Sequence, residues 1–158
     1  MLNCRKANIN DILIYFDWVN DAYVRQQSYN SQAIDFAIHQ KWFESAINNV
    51  NYFMLIFQNN LGNNIGQVRI QKQDNSEAII SISIDASHRG KGYAKEMLGI
   101  STNIFLVENS NYLINAYIKN KNLASKVSFE QAGFRLKGRL IYENEHSFHY
   151  IKYNYENR

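Results

Sequence analysis

Glu77-Ala-Ile-Ile-Ser-Ile-Ser-Ile-Asp85, followed by Ala86-Ser-His-Arg-Gly-Lys-Gly-Tyr-Ala94 and a segment reaching Val107, is the stretch on which the fold turns. Its first part is rich in isoleucine and alternates small polar with apolar residues over its second half, which predicts a strand. In its last part Ala94, Met97, Leu98, Ser101, Ile104 and Phe105 recur at i, i+3, i+4, i+7 spacing, one face of an amphipathic helix reaching about Val107. A strand therefore feeds a helix through a basic turn holding Gly90 and Gly92. The first N–H groups of such a helix lack intrahelical partners, and the helix dipole adds partial positive charge at the same end. Glycine lets the backbone approach a ligand closely, and Arg89 and Lys91 add full charges, so the turn suits a pyrophosphate.

A plain strand-to-helix connection explains the two glycines but not the flanking Arg89 and Lys91. Neither the P-loop spacing nor the dinucleotide spacing Gly-x-Gly-x-x-Gly is present. Arg89-Gly-Lys-Gly92-Tyr-Ala94 fits Arg/Gln-x-x-Gly-x-Gly/Ala and, between its strand and helix, resembles the acetyl-CoA pyrophosphate loop of the GNAT superfamily of N-acetyltransferases. Further on, Asn122-Leu-Ala-Ser125-Lys-Val-Ser-Phe129-Glu-Gln-Ala-Gly133-Phe134 is similar to that family's second signature. The resemblance implies acetyl-CoA as co-substrate. It also implies cofactor contacts from Ser83 and Ile84 at the strand end, from Arg89, Gly90, Lys91, Gly92, Tyr93 and Ala94 in the loop, and from Asn122 with Ser125 on the pantetheine arm. The same Asn122 and Gly133 also read as an N-cap and a helix stop, and both jobs are compatible. Many relatives carry a proton-donating tyrosine where this chain has Phe129, so that step uses water, another donor or none, since a CoA thiol is acidic enough to leave as thiolate.

Taken in order, residues 2 to 7 predict a short strand, and Asp11 stands as N-cap to a buried helix over Ile12–Val19. Tyr23 to Ser31 has no clear period and reads either as a ligand-facing loop or as a solvated connection. From Asp35 the pattern is helical, with His39 between Phe36 and Phe43 on the apolar face. That histidine is either a core side chain with one satisfied hydrogen bond or a group pointed into a cleft. Strands follow at Tyr52–Gln58 and Ile65–Lys72 around the loop Asn59–Asn64, then the Glu77 strand and its helix, and then a strand at Tyr112–Ile118. A short helix capped by Asn122 and a closing hairpin, Phe134–Tyr142 with Phe148–Tyr155, complete the chain. The order β, two helices, three strands, helix, strand, helix, two strands predicts α+β with a mixed, mostly antiparallel sheet flanked by helices, and the resemblance implies the same order.

At 158 residues, with a hydrophobic content of 46%, the chain is expected to form one domain around a single core. No apolar run has the length of a membrane span, and no signal peptide opens the sequence, so a cytoplasmic protein is expected. Cys4, the one cysteine, cannot close an internal disulfide, and no Cys/His cluster has metal-ligand spacing. A net charge of +3 without a basic block gives no support for nucleic-acid binding. Oligomeric state stays open, with a homodimer as one option.

In the N-terminal half, Trp18-Val-Asn-Asp21, Arg25, Ser28, Ile34, His39, Trp42-Phe43 and Gly66-Gln-Val-Arg69 resemble the GNAT enzymes that acetylate nucleotide-linked aminodeoxysugars, including the pseudaminic-acid pathway type. That resemblance implies a small-molecule amine acceptor. Trp18, Arg25, His39, Trp42 and Arg69 are the acceptor-site candidates, because they join flat apolar faces to donors for phosphate oxygens. The expected chemistry is direct attack by a neutral amine on the thioester, with a backbone N–H near Ile84 holding the developing oxyanion. Glu77 is the candidate general base, directly or through a water held by Ser81 or His39, provided no bulge shifts the parity of its strand. Two alternatives stand beside this reading: a ribosomal-protein or other N-terminal or small-amine acetyltransferase, and a non-catalytic acyl-CoA-binding regulator.

Overall fold

The computed structural model describes residues 1–157. Its strands are β1 (Asn3–Lys6), β2 (Tyr52–Gln58), β3 (Asn64–Lys72), β4 (Glu77–Ile84), β5 (Leu113–Lys119), β6 (Arg135–Tyr142) and β7 (Glu145–Tyr153). They form one sheet in the order β1-β2-β3-β4-β5-β7-β6, antiparallel at every junction except β4 against β5. The helices are α1 (Ile12–Val19), α2 (Ala22–Gln27), α3 (Phe36–Ile47), α4 (Tyr93–Glu108) and α5 (Leu123–Gln131). The expected α+β architecture is therefore the observed one.

Strand alternation divides the core in two. Leu55 and Phe57 of β2 belong to the larger cluster, with Val68, Ile70, Ile80, Met97, Leu98, Phe105 and Phe129, formed where α4 and α5 lie against the sheet. Their neighbours Met54 and Ile56 belong to the other, with Tyr15, Trp18, Phe43 and Ala46 of α1 and α3. A strand apolar on both faces, Tyr-Phe-Met-Leu-Ile-Phe, is what a sheet sandwiched between two helical layers requires.

Several local expectations change. Asp11 holds the N-cap position of α1 as expected, but its side chain makes no capping bond to that helix. It ends a short 3-10 turn (Ile9–Asp11), accepts from the Asn8 backbone N–H at 2.8 Å, and takes a two-pronged pair from Arg5 at 2.8 and 2.7 Å. Within the aperiodic segment after Asn20 there is a third N-terminal helix, α2, capped by the Asp21 carboxylate accepting from Val24 N–H. Six residues are too few for a hydrophobic period to appear in sequence. The last hairpin closes on Glu143-Asn144 alone, with φ of 47 and 65, so β7 begins at Glu145 and not at Phe148. Two consecutive residues at positive φ form the type I′ turn that matches strand twist. Pairing of β3 with β4 runs without a shift from Gly66↔Ile84 to Lys72↔Ala78, so no bulge disturbs the parity of β4. Among the described residues no helix is long and apolar enough to cross a membrane.

Candidate active site

β4 and β5 run side by side for only three pairs, Glu77 with Leu113, Ala78 with Ile114 and Ile79 with Asn115. Beyond them each strand stays with its outer neighbour, β3 or β7, and the two diverge. A cleft of about 510 Å³ opens in the gap. Gln73 N–H donates to Glu77 O at 2.7 Å and Asp85 N–H to Ile65 O at 2.8 Å, so odd-numbered residues of β4 turn their backbone polar groups to β3. Ladder alternation then aims the N–H groups of Ile82 and Ile84 into the gap. Backbone donors on an unpaired strand edge need partners, and an extended amide-bearing arm lying along β4 would supply acceptors.

At its far end β4 enters a turn organised by Asp85. Its carboxylate accepts from the backbone N–H of Ser87 at 3.1 Å, from the indole N–H of Trp18 at 3.0 Å and from His88 Nδ1 at 3.3 Å. Burial pushes this carboxyl up, but the bonds from Ser87, Trp18 and His88 outweigh it and hold the pKa at about 2. The stability this carboxylate contributes is therefore present above its ordinary 3.8 and lost as pH falls toward 2. Trp18→Phe removes one of those donors and is expected to move the acid-unfolding midpoint to higher pH, read by circular dichroism between pH 2 and 5. An unchanged midpoint would mean the indole bond contributes nothing.

Past Asp85, a 3-10 turn (Ala86–His88) leads into Gly90 and Gly92, at φ of 74 and 80. Gly92 is the N-cap of α4, so the free N–H groups of that sixteen-residue helix open beside the cleft that Gly90, Gly92, Tyr93 and Ala94 line. Arg89 is not a free charge. Its Nε donates to Ile84 O at 3.1 Å, one terminal nitrogen donates to Asp21 Oδ1 at 2.6 Å, and its guanidinium lies 4.8 Å over the Tyr23 ring. It clamps α2 to the loop. Lys91 is exposed and lies off the cleft. On the opposite wall Asn122 caps α5 by accepting from Ser125 N–H at 3.2 Å, and both line the cleft with buried Phe129, which packs edge-on against Phe134.

The expected acceptor-site residues separate. Arg25 and Arg69 line the cleft; Trp18, His39 and Trp42 do not. Trp18 is 5% exposed and packs between α1 and the sheet, its N–H given to Asp85. His39 is 3% exposed, ringed by Phe16, Phe36, Trp42 and Phe43, with Nε2 at 3.0 Å from Ile12 O. Burial lowers its pKa, so it is a neutral core histidine with no route to an amine in the cleft. Trp42 acts at one remove, beneath the Arg69 guanidinium at 5.2 Å. Arg25 donates to Val19 O, Asn30 O, Gln32 O and Ser28 Oγ, bracing the turn that forms the cleft rim. Arg69 has no hydrogen-bond or ion-pair partner among the described residues. Ser83 and Ile84 line the cleft, with Ser83 Oγ accepting from Gln67.

Glu77 lies at the exposed start of β4, short of the divergence and off the cleft, and accepts from Asn115 Nδ2 at 3.1 Å. Asn115 Nδ2 also approaches Ala78 O at 3.3 Å, and its Oδ1 sits 2.7 Å from His149 Nε2. The His149 ring stacks on Tyr117, centroids 4.6 Å apart, and Tyr117 stacks on Tyr142 at 3.9 Å. Tyr117 lines the cleft. Nothing in the sequence singled out Asn115, Tyr117 or His149: alternation put them on one face of their strands, but pairing of Tyr117 with His149 appears only once β7 inserts between β5 and β6. Among the described residues no group of three or more His, Cys, Asp or Glu side chains could hold a metal ion.

A family model described as an acetyltransferase (GNAT) domain matches residues 2–135. No curated protein sequence matches the chain. Among solved structures, the aminoglycoside acetyltransferase AAC(6')-Ib in complex with coenzyme A and kanamycin superposes with a TM-score of 0.81 at 17% identity, over 99% of this chain and 98% of its own. A spermidine N-acetyltransferase from Vibrio cholerae in complex with CoA and spermine superposes with a TM-score of 0.84 at 16% identity, over 96% of this chain and 94% of its own. At such identities the likeness carries the fold alone.

Proposed function

The chain belongs to the acetyltransferase (GNAT) domain family, and from that premise we propose that it moves the acetyl group of acetyl-CoA to the amine of a nucleotide-linked aminodeoxysugar. The co-substrate fits the cleft. The α4 N-terminus at Gly92 would hold its pyrophosphate, and the unpaired edge of β4 at Ile82 and Ile84 would hold its pantetheine amides. Acetyl-CoA supplies the activated acyl group; the protein's part is to align the amine and to offer backbone N–H groups to the thioester oxygen.

One observation carries the choice of acceptor. Among the described residues lining the cleft are Arg25, Arg69, Arg89 and Lys119, and no aspartate or glutamate. Asp21 neutralises Arg89, and Glu145 stands 3.8 Å from Lys119. Among the described residues Arg69 has the Trp42 face and, acting on its charge, the phenols of Tyr52 and Tyr15 but no carboxylate, and burial lowers its pKa. Kanamycin and spermine, the ligands of the two solved relatives, carry several ammonium groups each, and such a wall repels them. An acceptor with one amine and a phosphate elsewhere matches it, the phosphate taking a charge-assisted bond from Arg69.

The deciding experiment is a thiol-release assay over nucleotide-linked amino sugars, aminoglycosides, polyamines and peptide N-termini. Turnover confined to the sugars is expected. Preference for polyamines or peptides would end this reading, and acetyl-CoA binding without release on any amine would favour a regulator. Arg69→Ala is expected to raise the acceptor KM about tenfold, the loss of one charge-assisted hydrogen bond at about 1.5 kcal/mol, while the KM for acetyl-CoA stays put. An unchanged acceptor KM would remove Arg69 from the site.

A further inference from the structure

We propose that His149 is the base that takes the proton from the acceptor amine, with Asn115 as the residue that positions it and Glu77 as the anchor of Asn115. The assignment rests on the amine-acetylation reading above. It replaces the direct use of Glu77, whose carboxylate is committed to Asn115; neither Glu77 nor His149 lines the cleft itself, and His149 stands behind the cleft-wall residue Tyr117, 4.6 Å from it ring to ring.

Asn115 Nδ2 donates to the Glu77 carboxylate at 3.1 Å and faces Ala78 O at 3.3 Å, so its two hydrogens have acceptors and the NH₂ end of the side chain is assigned. Its Oδ1 can then only accept. His149 Nε2, 2.7 Å away, must carry a hydrogen, which leaves Nδ1 of the neutral ring as a bare lone pair. Among the described residues Nδ1 has no hydrogen-bond partner. The ring is half-buried and stacked at 4.6 Å on Tyr117, a residue of the cleft wall. Asn115 is 3% exposed, so the Glu77–Asn115–His149 chain is a rigid orienting device that the packing of the core does not require.

The titratable and charged groups around the ring are Glu77 of β4, Tyr117 of β5 and, from β6, Lys137 and Tyr142, the last across Tyr117. Burial lowers the His149 pKa, Lys137 lowers it further, and Glu77 acts against both. The ring is therefore neutral at pH 7 and able to accept a proton.

The step balances without an acid at position 129. The acceptor arrives as R–NH₃⁺, and one proton passes to Nδ1, directly or through one water. The freed nitrogen lone pair forms the C–N bond as the C–S bond breaks and the sulfur leaves as thiolate. The second nitrogen proton goes to that sulfur, and His149 returns its own proton to solvent, giving amide, CoA thiol and one released proton.

Two measurements test the assignment. Imidazole nitrogen NMR of the intact protein, which needs no acceptor, should show His149 as the Nε2–H tautomer with its midpoint below the ordinary 6.5; a dominant Nδ1–H tautomer overturns the proposal. The pH profile of kcat/KM with the best amine of the panel should have an acidic limb at that same midpoint. H149Q should lower kcat about a hundredfold and move the limb toward the pKa of the acceptor amine, with acetyl-CoA affinity within twofold of the unmodified protein. N115A, which frees the tautomer, should keep the limb but lower kcat about tenfold. H149Q with unchanged kcat and limb, or with acetyl-CoA binding lost, refutes the role. A protein that acetylates no amine in the panel fails the acceptor reading, and the tautomer still decides for or against His149.

Discussion

Replacing Gly92 with valine is expected to weaken acetyl-CoA binding about a hundredfold, or about 2.8 kcal/mol, and to leave the protein folded. Gly92 holds φ of 80 as the N-cap of α4, a conformation that a β-branched residue adopts only under strain. No atom lies within 4 Å of where its Cβ would stand, so the substitution meets no steric wall. The backbone must instead rotate toward negative φ. That rotation redirects the N–H groups leading into the helix, the groups assigned to the pyrophosphate, while α4 remains buried by Met97, Leu98 and Phe105. Calorimetric titration with acetyl-CoA and a thermal melt on the same sample separate the two effects. Unchanged affinity in a folded Gly92→Val protein would remove the anion site from the loop. Arg89→Ala should act mainly through α2, because its guanidinium is bound to Asp21 and Ile84 O.

Gly66→Ala is expected to be the most damaging single methyl in the molecule. A Cβ built there stands 2.3 Å from Ser83 O, 3.0 Å from Ile84 Cα and 3.0 Å from Met97 Cε. The methionine end can swing away; the backbone of β4 cannot without breaking its register with β3. Overpacking of this kind costs about 3 kcal/mol, so the melting temperature should fall by roughly 10 °C. The strand that must yield carries the cleft edge at Ser83 and Ile84, so acetyl-CoA affinity should fall as well. A melt within about 2 °C of the unsubstituted protein would show that β4 gives way easily there.

The two predictions differ in how much of each was visible in sequence. The position of Gly92 at the head of α4 follows from six residues between a strand and a helix, since a turn of that length and composition has few ways to be built. Gly66 appeared only as part of a pattern in the N-terminal half, and its tight approach to β4 depends on which strand lies beside β3. Asp85 shapes the turn through its bonds from Ser87, Trp18 and His88, and of these partners Trp18 lies 67 positions away in the chain. His39 offered two readings, core or cleft, and Trp18 one, the acceptor site; burial places both in the core. Periodicity states which face of a helix is apolar. It does not state whether a polar ring on that face meets a cleft or a carbonyl such as Ile12 O.

Sequence by itself determined the α+β class, the strand–loop–helix unit from Glu77 to Val107 and the place of the two glycines, Gly90 and Gly92, in the turn between them. Each of these follows from residues close together in the chain, where φ preference, hydrophobic period and capping act locally. Tertiary structure alone decided that β4 and β5 separate after Ile79 and Asn115, that Arg89 is neutralised by Asp21, that Arg69 lies over Trp42 with no counter-ion among the described residues, and that Asn115 and Tyr117 meet His149. These facts join side chains far apart in the chain, by as many as 68 positions. They arise because strand order is set by which apolar faces the helices cover, and that balance belongs to the whole sheet rather than to any one segment.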